Sequence, residues 1–254
     1  MKKIYILVIM IIISFTNYAQ NGHLTLNFKN YVGNKPVELN SIQYVNGSNE
    51  TYNITKLKYF ISNISLTKLD GTKVTIPQDS SYFLIDQSDA NKLSPTIQLP
   101  IDDYTQIEFV LGVDSMRNTM DLSSRTGVLD PATAAAGMYW SWNSGYIFFK
   151  MEGTSSFSTA KNNAFAYHIG LFGGYNKSTI NNLKNISIDL KDKGVLSIKE
   201  KGQSSITIHA DVSSIFDGIN KISLSANPVI MVSPLSAKIA DNYATMFTHS
   251  ETVN

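Results

Sequence analysis

From His23 onward, large apolar and polar positions alternate along the chain. Leu24, Leu26 and Phe28 fall on one side of an extended strand, and His23, Thr25 and Asn27 fall on the other. The same period of two returns at Leu57-Tyr59-Ile61, Ile107-Phe109-Leu111-Val113, Ile186-Ile188-Leu190, Ile206-Ile208-Ala210 and Ile222-Leu224. Turn signals separate these runs: Gly33-Asn34-Lys35-Pro36, Asn46-Gly47, Leu69-Asp70-Gly71-Thr72 and Asp217-Gly218. Many short strands with one apolar face predict an all-β fold, an antiparallel β-sandwich. Two helical pieces interrupt it. Asp130-Pro131-Ala132 sets a capping side chain before a proline and an alanine run, which predicts a small helical insertion. Ser233-Pro234 repeats the device, and Ile239, Tyr243, Met246 and Phe247 follow at helical spacing. This short C-terminal helix packs on the sandwich or docks a partner. No repeat or composition break divides residues 20–254, which read as a single β domain.

The first residues follow another rule. Lys2 and Lys3 precede an apolar run from Ile4 to Phe15, and a short polar stretch ends at Asn17-Tyr18-Ala19-Gln20. That is the order of a secretory signal peptide over residues 1–19, with cleavage after Ala19. The run falls short of the roughly 20 residues that a spanning helix needs. The expectation is a periplasmic or secreted protein that spans no membrane once the signal is removed. The formal charge of the 254-residue chain is +1, and loss of the two lysines leaves −1, which gives no electrostatic reason to bind nucleic acid. With no cysteine, disulfides, thiolate metal sites, thiol catalysis and an N-terminal lipid anchor are excluded.

No zincin helix, nucleophile elbow, phosphate loop or EF-hand loop is present, so no catalytic residues are assigned and the chain is expected not to be an enzyme. His23 and His209 stand out of phase with their apolar neighbours, on solvated sheet faces, and His249 lies in a polar tail. His168 differs. The large side chains at 165, 167, 169 and 171 share one face, and His168 shares the other with Ala166 and Gly170. It is either a satisfied surface histidine or a metal ligand, since neutral imidazole accepts copper readily. Both tryptophans stand in Met138-Tyr139-Trp140-Ser141-Trp142-Asn143-Ser144-Gly145-Tyr146. In one strand Trp140, Trp142 and Tyr146 form an aromatic strip with a gap at Ser144. The strip is a core strand, a platform for a sugar ring, or the wall of a metal site.

These blocks together carry a resemblance. Tyr52 to Ile64, Phe109-Val110-Leu111-Gly112-Val113-Asp114 with Asn118, Leu129-Asp130-Pro131, the Met-x-Trp-x-Trp-x-x-Gly-Tyr block and Phe165 with His168-Ile169-Gly170 resemble the MbnP-like proteins. These are exported copper-binding proteins of the MbnP/CorA/MopE type, and the likeness runs from about His23 to Phe247. It implies a β-rich fold and copper handling outside the cytoplasm. It also implies a Cu(I) site in which kynurenine, made from a tryptophan by a MauG-type di-haem partner, joins histidines. Carried over by motif, His168 is the copper ligand and Trp140 or Trp142 the residue modified. His209 and His23 are reserve ligands, and Met138 and Met151 are thioether alternatives. The chain departs from the family in offering no second histidine in a matching motif and none of the cysteines that many relatives carry. Two metal-free or differently loaded readings stand beside this one: a binding module that takes a glycan or cell-surface partner on its tryptophans, and a domain stabilised by calcium at Asp114, Asn118 and Asp130.

Overall fold

The computed structural model describes residues 20–142, 145–200 and 202–254. The signal peptide expected over residues 1–19 and the gap expected at Ser144 lie outside them. The longer strands are β1 (Asn21–Val32), β2 (Thr51–Lys68), β3 (Tyr82–Asp86), β4 (Thr96–Pro100) and β5 (Asp102–Leu111). They continue with β6 (Gly145–Thr154), β7 (Ala164–Gly170), β8 (Lys184–Asp189), β9 (Gln203–Asp211) and β10 (Phe247–Val253). The smaller sheet runs β10-β9-β1, with β4 on the other edge of β1. The larger runs β8-β5-β2-β6-β7, with β3 also on β2. This is the predominantly β fold with short helices that the alternation predicts. Among the described residues pairing is antiparallel except at two places: β9 lies parallel to β1 over His23↔Gln203 to Tyr31↔Asp211, and Val229–Ile230 lies parallel to β7.

Alternation explains the layers. Leu24, Leu26 and Phe28 of β1 face inward and are buried, as are Ile206, Ile208 and Ala210 of β9. Aromatic rings join the two sheets edge to face. Phe28 of the smaller sheet meets Tyr59 and Phe109 of the larger at 6.2 and 6.1 Å, and Phe247 meets Phe109 at 5.2 Å. β2 is the spine of the larger sheet. Its register against β5 shifts between Ser62 and Ser65, where Asn63 takes a φ of 52°. Asparagine tolerates that left-handed conformation, and the resulting bulge bends the strand.

Three expectations change. Asp130 does cap its turn, its carboxylate accepting from the Ala132 amide and the Thr133 hydroxyl, but the alanine run continues as turns and makes no helix. So short a run does not recover the cost of helix nucleation. The helical content of the insertion is instead α1 (Ser115–Thr119), capped by Asp114, with short 3₁₀ turns at Leu122–Ser124 and Gly127–Leu129. Ile222 and Leu224 are buried but lie in irregular chain, because the Glu50 carboxylate takes the amides of Leu224 and Ser225 that a ladder would use. After the short helix α2 (Ser214–Asp217), α3 (Pro234–Tyr243) starts at the expected Ser-Pro step and buries Ile239 and Tyr243 in the core. It ends at Tyr243, so Phe247 opens β10, and His249 is a half-buried strand residue bonded to Thr252. Among the described residues no helix is long and apolar enough to cross a membrane.

Candidate functional site

Antiparallel register brings side chains from distant parts of the chain into rows on the outer face of the larger sheet. Lys150 of β6 stands opposite His168 of β7 on one side and Lys58 of β2 on the other, and Lys58 stands opposite Asp86 of β3. One step along, Glu152 stands opposite Lys56. Glu152 is the hub. Its Oε1 accepts from His168 Nε2 at 2.8 Å and pairs with Lys150 Nζ at 3.1 Å, while Oε2 pairs with Lys56 Nζ at 3.1 Å. Lys58 pairs with Asp86 at 2.8 Å.

Electrostatics follow from this packing. Burial works to raise the Glu152 carboxyl, but Lys56, His168 and Lys150 hold it down at about 2, so it is a carboxylate at any ordinary pH. Burial and the neighbouring Lys150 ammonium push His168 down, against the pull of Glu152, and its imidazole is neutral near pH 7. A carboxylate only accepts, so the proton of the neutral ring resides on Nε2 and the lone pair on Nδ1. The imidazole is thereby a positioned donor with one nitrogen committed and the other available.

The insertion covers this charged face. Lys150 Nζ donates to the Gly137 carbonyl at 2.8 Å and is only 8% exposed. Tyr139–Trp140 pairs back on Gly145–Tyr146. Trp140 is 5% exposed, and its ring lies on Gly170, two residues beyond His168 on the same face of β7. A β-carbon at Gly170 would come within 2.7 Å of the Trp140 ring and 2.4 Å of the Tyr146 carbonyl, so only glycine lets the indole down onto the strand. Trp142, 66% exposed, leans on Trp140 with ring centroids 5.5 Å apart.

The expected aromatic strip does not form. Tyr146 pairs with Tyr139 and is buried, its hydroxyl donating to the Leu129 carbonyl at 2.5 Å. Trp140 and Tyr146 stand on two paired antiparallel segments, so these three residues do not belong to one strand. Of the expected ligands, His168 alone lies on this face. His23 and His209 stand on the smaller sheet. They are six ladder steps apart, about 20 Å along the strands. His23 is exposed, and His209 packs its ring on Tyr31 at 4.6 Å. Met138 and Met151 are buried. The oxygens proposed for calcium have structural partners. Asp114 accepts from the Tyr82 hydroxyl and the Arg117 amide, Asn118 Oδ1 accepts from the Tyr146 amide at 3.0 Å, and Asp130 holds its turn. Among the described residues no three His, Cys, Asp or Glu side chains gather at metal-binding distance. Glu152 and Lys150 were not singled out by the sequence. Only the pairing of β6 with β7 and β2 reveals them.

Comparisons with known proteins come to the same architecture. A family model, MbnP, matches residues 21–232. The solved structure of MbnP from Methylosinus trichosporium superposes with a TM-score of 0.59 at 14% identity, covering 85% of this chain and 82% of that one. At that identity the likeness is one of fold. Comparison with curated proteins gives no match.

Proposed function

This chain belongs to the MbnP family, and from that premise we propose that it is an exported, non-enzymatic copper-binding protein, periplasmic or secreted, whose site is His168 with Trp140. The observation that carries the reading is one neutral imidazole, pinned through Nε2 by Glu152, on the strand face that also seats the Trp140 ring. Outer carboxylates of this kind orient metal-ligating histidines. Cu(I) is soft and accepts few ligands, and imidazole suits it.

The residues fit a low-coordinate ion only if a second donor joins His168. His23 and His209 belong to the other sheet, and the two nearby lysines are committed to Glu152. Oxidation of Trp140 to kynurenine by a di-haem partner of the MauG type, with dioxygen or peroxide as oxidant and the indole C2 released as formate, would supply an aryl amine as that donor. Bound there, copper would be stored or handed on. The protein's part is to keep the imidazole neutral, fix its proton on Nε2 and hold the indole on Gly170.

Anaerobic titration with Cu(I) against a competing chelator tests this, using protein from its native host and protein made without the oxidase. The expectation is stoichiometric binding by the chain whose Trp140 peptide carries the mass of kynurenine, lost in His168→Ala. The unmodified chain should bind at least about tenfold more weakly. Equal binding by His168→Ala would sink the proposal.

A further inference from the structure

A cavity of about 410 Å³ opens beside β3, α1 and the turn Gly127–Leu129, and neither His168 nor Trp140 is among its lining residues. Two guanidinium groups line it, against the single carboxylate of Asp79. Arg117 pairs with Asp79, whose side chain is almost wholly in solvent, and lies over the Tyr82 ring at 5.6 Å. Arg125 is the unusual group. It is 6% exposed and, among the described residues, makes no ion pair. Its Nε and Nη2 donate to the carbonyls of Met120 and Asn118, and its guanidinium lies over the rings of Tyr139 and Tyr146 at 5.1 and 5.3 Å. Arg125 Nη1 and Arg117 Nε are buried donors with no acceptor among the described residues.

Arginine does not lose its proton, so a buried guanidinium met only by carbonyls and ring faces keeps an unbalanced charge. Native proteins rarely leave such donors empty without a reason, and a ligand is one. The net charge of the lining is one positive, which one negative charge balances. The rest of the wall includes Phe83, Met120, Val128 and Leu129, and a bare inorganic ion would leave that apolar surface wet. We propose that this cavity is a binding site for a small monocarboxylate with an apolar body, its carboxylate taken by Arg125 together with Arg117. Guanidinium geometry matches a carboxylate, and the exposed Asp79 yields Arg117 to the ligand.

Isothermal titration of the purified chain at pH 7 with hexanoate and benzoate tests it, with hexanol, inorganic phosphate and sulfate as comparison probes. The expected result is saturable one-site binding of a carboxylate, at least about tenfold weaker for hexanol and for Arg117→Gln. Val128→Trp, at a half-buried wall position, should abolish binding by filling the space while both arginines remain. Circular dichroism and melting curves check that each variant is folded. Arg125→Ala is left aside because it would also release the two carbonyls it holds. No saturable heat with either carboxylate overturns the proposal, as does undiminished binding in folded Val128→Trp or equal binding of hexanol. Phosphate or sulfate binding more tightly than the carboxylates, with the same sensitivity to the variants, overturns the apolar-body assignment.

Discussion

Burial works to raise the Glu50 carboxyl, yet the Asn46 amide and the Ser225 and Leu224 groups hold it at about 2. This lies below the ordinary value of 4.5, so the native state binds its proton less tightly than the unfolded chain. The resulting stability is whole above about pH 4.5 and is lost as pH falls toward about 2, amounting to about 3 kcal/mol. Glu50→Gln should therefore be less stable at pH 7 by about that amount, with a flatter acid profile, measured by urea unfolding at pH 7 and pH 3. Gly170→Ala presses a methyl on the Tyr146 carbonyl, which cannot move as a side chain does, and on the Trp140 ring. A loss of about 1–3 kcal/mol and a red-shifted tryptophan emission are expected from denaturant titration and fluorescence. The face of His168 was legible from strand phase alone. The separation of Trp140 from Tyr146 was not, because alternation along one segment cannot say where that segment doubles back and pairs with itself.

Among the elements, those ruled by local chemistry were the readable ones. β1, β5, β8 and β9 follow their alternation, and α3 begins where Ser233-Pro234 predicts. Elements decided by distant groups misled. Ile222-Leu224 has strand-like spacing, but Glu50, over 170 residues earlier, claims its amides. Phe247 has helical spacing from Tyr243, yet pairing of β10 with β9 ends the helix and sends Phe247 between the sheets. Its ring meets Phe28, Tyr59 and Phe109. Phe247→Ala should cost about 3–5 kcal/mol through the cavity left at the sandwich centre, read as a lower urea midpoint with the slope unchanged. Val253→Ala, at the exposed far end of the same strand, should change stability by less than about 0.5 kcal/mol. Equal losses in the two variants would mean that β10 contributes through its backbone pairing and not through the ring.

At the scale of the molecule, a class of fold was readable because nearly every long strand buries one side. The assembly of the outer-face charges was not, since it depends on which strands become neighbours. Lys56, Lys150, Glu152 and His168 are scattered over more than 100 residues and meet only through the order β2-β6-β7. The parallel pairing of β1 with β9 has a consequence in time. β4 reaches only Asn21 to Thr25 of β1, whereas Asn27 to Lys29 find their ladder partners in Thr207 to His209. An early strand thus stays half-paired until nearly the whole chain has been made, and closing so long a loop slows folding. Pulse-labelled hydrogen exchange during refolding should protect the amides of β2 and β5 before those in the later half of β1. Until β9 pairs with it, the later half of β1 is an open apolar edge, and that interval is when aggregation competes with folding.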